Sequence, residues 1–395
     1  MKFAQRVDRV QPSMTMAVVG KAASLRAKGI DVVDFGAGEP DFGTPDHIKQ
    51  AAVEAMQAGH TRYTKNTGID ELRKAVANKL ARDNGLQYTP DEIIVSNGAK
   101  HVLFNTMMAI LGDGDEIIIF APYWVTFPEM AKLTGANPVI IQTDEEHHFE
   151  PDLTEVESAI TENTRAILMN SPSNPSGMMY SEKTIRGIYD IAAKHDLFLI
   201  SDECYERITY DADASSPAKY EDEHELVITV QSLSKSYAMT GWRVGYAAGN
   251  QTLIGNMAKI QSQSASHANS IAQWAAVTAL NGDQSFIGDM VKQYIKRRDY
   301  VLQRVKEIPG LSSTTPEGAF YVFPNVSEYY GKQFEGKTIS DSLDMANYIL
   351  ENANVAVVPG GAFGADDNIR ISYATSLEVL EEGMNRIAKS LAQLQ

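Results

Sequence analysis

A lysine between small hydroxyl residues, close behind an apolar run, is the residue here whose setting most suggests chemistry. Leu226–Gln231 leads into Ser232-Leu233-Ser234-Lys235, with Gly241-Trp242-Arg243 a few residues on. An amine held there loses hydration, so its neutral form is favoured and it can attack a carbonyl to form an imine. Most lysines simply reach for solvent, so position alone does not settle the role.

Other reactive side chains also follow apolar runs. Leu197–Ser201 is followed by Asp202-Glu203-Cys204-Tyr205, Glu116–Phe120 by Pro122-Tyr123-Trp124, Arg165–Asn170 by Ser171–Gly177, and Glu92–Ser96 by Asn97-Gly98-Ala99-Lys100. Asp202 at a strand mouth could keep a pyridine nitrogen protonated, as an electron sink requires, or could equally cap the next helix. Tyr205 could bond that ring's phenolic oxygen, and Trp124 offers a flat face for stacking. Gly98 and Ala99 before a helix, the hydroxyls of Ser232 and Ser234, and the Arg243 fork together suit a phosphate.

The elements that must carry these residues are short apolar runs, Val244–Ala248 included, alternating with helical stretches such as His101–Leu111 and Lys183–Lys194. Such runs predict strands buried on both faces, hence an α/β fold with a mainly parallel sheet flanked by helices. In such sheets ligands sit beyond the carboxyl ends of the strands, where these residues fall. From about residue 285 the rhythm changes. Strands are expected at Ala319–Pro324, Asn354–Val358 and Asn368–Tyr373, with an amphipathic helix from Ser376, which reads as a smaller α+β domain. The expected division is residues 46–284 as the large domain and 285–395 as the small one. Residues 1–45 would pack with the small domain and the site.

Composition narrows the class. The 395 residues hold 35 basic and 51 acidic side chains, a net charge of −16, which argues against nucleic acid or an anionic membrane as partner. No apolar run approaches the ~18 residues of a membrane span, and the N-terminus does not read as a signal peptide. With one cysteine, Cys204, no intrachain disulfide can form, and a cytoplasmic setting is expected. Cys204 reads as a small core hydrophobe. His147-His148, on a charged loop, reads as solvated rather than as a metal site. Val32–Phe35 with Gly36-Ala37-Gly38 resembles the start of a dinucleotide-binding turn, but position 41 is Asp and Pro40 opens no helix.

Ser-x-Ser-Lys followed by Gly-Trp-Arg-x-Gly resembles the class I aminotransferases, most closely the bacterial aspartate aminotransferases. Gly36–Asp41, Arg62-Tyr63, Asn170–Gly177, Ser201–Tyr205 and Arg370–Ala374 extend the resemblance over nearly the whole chain. It implies the type I aminotransferase fold and pyridoxal 5′-phosphate, with Lys235 as Schiff-base lysine and proton shuttle. Asp202 is then the ring-nitrogen partner, Tyr205 and Asn174 the partners of the phenolic oxygen, and Trp124 the stacked aromatic. Gly98, Ala99, Ser232, Ser234 and Arg243 form the phosphate cup. Tyr63 reaches the neighbouring subunit's phosphate, implying a homodimer with shared sites. Arg370 grips the substrate α-carboxylate, Gly38 touches the same substrate through its backbone, and Lys100 with Thr15 receives a side-chain carboxylate. The implied reaction is transamination between aspartate or glutamate and a 2-oxo acid such as 2-oxoglutarate. Aromatic or neutral donors, or a lyase on the same fold, are the alternative. Gln11 departs from the lysine of relatives that also accept prephenate, so prephenate is not among the implied substrates.

Overall fold

The structure is a computed structural model that describes residues 3–11, 14–221 and 223–395, with the backbone alone for residues 14–19. After a short strand β1 (Val33–Asp34) come the seven strands of the main sheet. They are β2 (Ile93–Ser96), β3 (Glu116–Ala121), β4 (Asn137–Gln142), β5 (Thr164–Asn170), β6 (Phe198–Asp202), β7 (Val227–Ser232) and β8 (Gly245–Ala248). Their spatial order is β2-β8-β7-β6-β5-β3-β4, so β6, which ends in Asp202, lies at the centre. Strands β3 to β7 run parallel, and β8 runs antiparallel to both β7 and β2.

The apolar runs are continuous because both faces of the sheet are covered. Ile117 and Ile119 of β3 face helices 99–110 and 251–264, while Ile118 and Phe120 face helices 70–79, 182–194 and 270–281. Two features depart from the expected pattern. Strand β4 is not among the expected runs; it is an edge strand, where the missing N–H of Pro138 is tolerated. The chain between β7 and β8 holds only a short 3₁₀ turn, Thr240–Trp242, so no helix crosses the sheet and β8 returns antiparallel.

The C-terminal part adds β9 (Tyr321–Val322), the hairpin β10 (Gln333–Phe334) and β11 (Lys337–Thr338), β12 (Val355–Ala356), β13 (Val358–Pro359) and β14 (Ile369–Ser372). The expected strands are here, but shorter: the ladder takes only two residues of Ala319–Pro324, and Asn354–Val358 is split at Val357. Strand β1 pairs in parallel with β12, so the N-terminal chain joins this second core through Val33 and Phe35. The last helix, Leu377–Leu391, buries Leu380, Met384, Ile387 and Leu391 on one stripe. That core extends to Tyr205 and Ile208, just past the end of β6.

Candidate active site

A cleft of about 900 Å³ opens where β5, β6 and β7 end and the second core begins. Asn170, Asp202 and Ser232 are the last residues of those three strands and all line it. Gly98, at the junction of β2 and helix 99–110, has φ +81°, and a Cβ there would lie 2.5 Å from Nη2 of Arg243. A Cβ on Gly245 would lie 2.4 Å from the Ala99 nitrogen. The two glycines thus let a helix start, a strand and a guanidinium converge. Gly98 offers no side-chain cap, and the first N–H groups bonded back to its carbonyl are those of His101 and Val102. The N–H groups of Ala99 and Lys100 point on, toward an anion. Ser232 donates to the Ser234 hydroxyl at 2.8 Å, and both hydroxyls line the same end of the cleft.

Lys235 sits in the turn after β7 and donates its ammonium hydrogen to the Gly38 carbonyl. Burial lowers its pKa to about 8, and the Arg370 and Arg243 cations push the same way. Asp202, 5% exposed, accepts the Cys204 N–H at 3.1 Å, and burial raises its pKa to about 6. The Tyr205 hydroxyl bonds that of Tyr321 at 2.9 Å, and burial holds its pKa well above the usual phenol value. Arg370 is 4% exposed. It donates to Asn174 Oδ1 at 2.8 Å and to the Gly36 carbonyl at 2.9 Å, and its Nε has no partner. Among the described residues no carboxylate pairs with it. A buried fork so arranged favours an incoming carboxylate.

Lys100 lies with its ammonium 4.7 Å from the centre of the Trp124 ring. Its pKa is lowered by burial and then by Arg243. Trp124 and Gly38 line the cleft, as does Gln11, whose N–H donates to Glu129 at 2.7 Å. Thr15 lies in helix Met14–Ala27, and its side chain is outside the described residues. Tyr63 is not in the cleft of its own chain; it is 92% exposed. Cys204 departs from expectation: it packs against the second core yet also lines the cleft beside Asp202. Burial and the Asp202 charge raise its thiol pKa, so it stays protonated. His147 bonds Asp144 at 2.8 Å on an exposed turn. The Gly36-Ala37-Gly38 segment enters the cleft and no helix opens until Asp46.

Several lining residues were missed in the sequence. Nothing local in the sequence singles out Tyr321 or Phe363, yet their rings lie 4.5 and 5.1 Å from the Arg370 guanidinium. Asn170 reads as a strand end, yet its Oδ1 holds the Asn174 N–H at 2.9 Å. Thr240 bonds Glu39 at 2.7 Å across the cleft mouth, a pairing that no spacing announces.

The profile of the family described as aminotransferase class I and II matches residues 30–387. A probable aspartate/prephenate aminotransferase of Aquifex aeolicus (strain VF5) is 45% identical over 396 residues, 99% of both chains. The crystal structure of the aspartate aminotransferase from Rhizobium meliloti superposes with a TM-score of 0.97 at 43% identity, covering 100% of both chains. The Thermus thermophilus aspartate aminotransferase with maleate gives 0.93 at 41%, covering 99% of this chain and 100% of that one. The chain belongs to the class I and II aminotransferases. It is an enzyme of the type I aminotransferase fold that transfers amino groups with pyridoxal 5′-phosphate as cofactor. The cleft suits that group: it offers an anion cradle that two Cβ atoms would fill, a buried carboxylate with no ion pair among the described residues, and an amine of lowered basicity.

Proposed function

We propose that this cleft moves the amino group of aspartate or glutamate to a 2-oxo acid such as 2-oxoglutarate. One observation carries the substrate reading: of the four cations that line the cleft, Arg243 belongs to the phosphate cradle and Lys235 is the cofactor's amine, which leaves Arg370 and Lys100, neither with a carboxylate partner among the described residues. A dicarboxylic amino acid supplies one carboxylate to each. The maleate in the Thermus thermophilus structure is itself a dicarboxylate.

The bound cofactor supplies an aldehyde that captures amines and a ring that withdraws electrons from the substrate α-carbon. Gly98, Ala99, Ser232, Ser234 and Arg243 would hold its phosphate, and Trp124 would stack on its ring. The Asp202 carboxylate would pair with the ring nitrogen and hold a proton on it. Tyr205 and Asn174 orient the phenolic oxygen. Arg370 fixes the α-carboxylate, the backbone at Gly38 lines the same pocket, and Lys100 with Thr15 receives the side-chain carboxylate. The Lys235 amine would serve as the base that takes the substrate α-proton and as the acid that gives it back.

Tyr63, exposed on its own chain, is assigned to the phosphate of a second copy, which makes the enzyme a homodimer with shared sites. We place it in the cytoplasm; among the described residues no helix is long and apolar enough to cross a membrane. Residues 46–284 are assigned as the large domain and 285–395 as the small one, with 1–45 packed at the small domain and the site.

Replacing each cation separately tests the reading. Lys100→Ala is expected to lower kcat/KM for aspartate by about 10²-fold and for phenylalanine by less than ~10-fold. Arg370→Ala should depress both alike. Equal losses for Lys100→Ala would remove the dicarboxylate assignment.

A further inference from the structure

On the far side of β6 and β7 from the cofactor cleft lies a buried polar network that the proposed mechanism does not use. Side chains alternate along a strand, so Ser201 and Glu203 project opposite to Asp202, and Gln231 opposite to Ser232. Asp202 and Ser232 line the cleft; Ser201, Glu203 and Gln231 do not.

Glu203, 3% exposed, has only neutral donors: Ser201 at 2.9 Å, Ser216 at 2.6 Å and the Gln231 amide at 3.0 Å. The buried ammonium nearby, Lys79, is 1% exposed. It donates instead to Gln231 Oε1 at 2.7 Å, Glu206 at 2.7 Å and Asn84 at 2.8 Å. Tyr246 brings in a third strand, β8, by donating to the same Gln231 oxygen at 2.7 Å. Gln231 can face only one way: turned over, it would set its NH₂ against the Lys79 ammonium and the Tyr246 hydroxyl hydrogen. Burial raises the Glu203 pKa to about 7, so above that pH the sense of every hydrogen bond from Lys79 to Ser216 is determined by one ammonium and one carboxylate. Each member is nearly water-free, so an unmade bond could not be replaced by solvent.

The consequence falls on the cofactor side. Ser201 and Glu203 are tied to each other directly beneath Asp202, and the Glu203 N–H is bonded to the Val230 carbonyl at 2.8 Å. Gln231 immediately precedes Ser232. The network thus clamps the backbone on both sides of Asp202 and just before Ser232.

We propose that the Lys79–Gln231–Glu203 network is a brace whose function is to set the positions of Asp202 and Ser232, with Glu203 and Gln231 as positioning residues for the cofactor. This rests on the reading above that Asp202 and Ser232 hold the cofactor.

The network's donor sense makes a reciprocal exchange informative. Glu203→Gln alone must set its NH₂ either against the Gln231 NH₂ or against the Ser201 and Ser216 hydroxyls, which both donate to the other oxygen, so at least one bond of the network is lost in either orientation. Glu203→Gln combined with Gln231→Glu satisfies every bond again: residue 203 now donates to residue 231, which still accepts from Lys79 and Tyr246. Purified enzyme is stripped and titrated with pyridoxal 5′-phosphate, reading its dissociation constant and the visible circular dichroism of the bound cofactor. Glu203→Gln is expected to weaken binding about tenfold or more and to change the dichroic band, and the exchange to restore both to within about threefold of wild type. A wild-type result for Glu203→Gln, or an exchange variant that fails to fold or binds no better than Glu203→Gln, overturns the brace. If Glu203→Gln does not fold, Ser216→Ala, which removes one donor of three, carries the test: a two- to threefold weakening with a changed band supports it, and an unchanged band overturns it. Asp202→Asn separates the two levels. If that variant leaves affinity and dichroism unchanged, the cofactor reading itself fails; if only the network variants are silent, the brace alone fails.

Discussion

Lys235 and Asp202 share a cause for their shifts, burial at strand ends, and that cause makes each testable through pH. The Lys235 amine, with its pKa lowered to about 8, is half neutral near that pH, and only the neutral form attacks an aldehyde. The second-order rate at which stripped enzyme captures pyridoxal 5′-phosphate should therefore rise with pH and level off above about 8. Stopped-flow absorbance would show it; a midpoint near the ordinary lysine value would mean the amine is not desolvated. Asp202 is raised from 3.8 to about 6 in the cofactor-free chain. Its unfolded form loses the proton first as pH rises, so its contribution to stability is full below about 4 and is lost by about 6. Cofactor-free wild type should therefore lose stability relative to Asp202→Asn between pH 4 and pH 7, measured by urea midpoints at each pH. No divergence would mean that the carboxyl is not desolvated.

At the scale of elements, the phosphate cradle depends on helix 99–110 beginning hard against β8. Gly245→Ala would put a methyl 2.4 Å from the Ala99 nitrogen, a backbone atom that cannot turn aside as a side chain could. The helix start must shift, and overpacking of this kind costs about 1–3 kcal/mol. Thermal unfolding should register that loss, and inorganic phosphate should protect the variant less than wild type. Gly241→Ala, where a Cβ meets nothing within 4 Å, is the matched control and should behave as wild type. The elements themselves were readable because buried strands and helices leave periodic traces; the trace of β4 is shorter, three apolar residues after Pro138, as an edge strand allows.

For the whole molecule, the exposed Tyr63 is the point on which shared active sites turn. Lys235→Ala and Tyr63→Ala homodimers should each be severely impaired. Mixed and allowed to exchange subunits, half the dimers become hybrids, each with one site free of both substitutions. Activity should then recover to about a quarter of wild type by random assortment. Recovery no greater than the average of the two parents would mean that each site is built from one chain.

The amino-acid sequence by itself determined the chemistry on offer: an amine, a carboxylate, a glycine turn and a fork of charge, each just behind an apolar run, in an order that resembles one family. Those features are local, because periodicity and turn residues act over a few positions. Tertiary structure decided what sequence separation hides. It set Tyr321 and Phe363 against Arg370, gave Cys204 a face on the cleft as well as on the core, and turned β8 antiparallel. It also put Lys79, Gln231 and Glu203, 152 and 28 positions apart, into one dry chain of hydrogen bonds. Nothing near Lys79 in sequence marks it as buried, since only packing against distant strands removes its water and makes its partners obligatory.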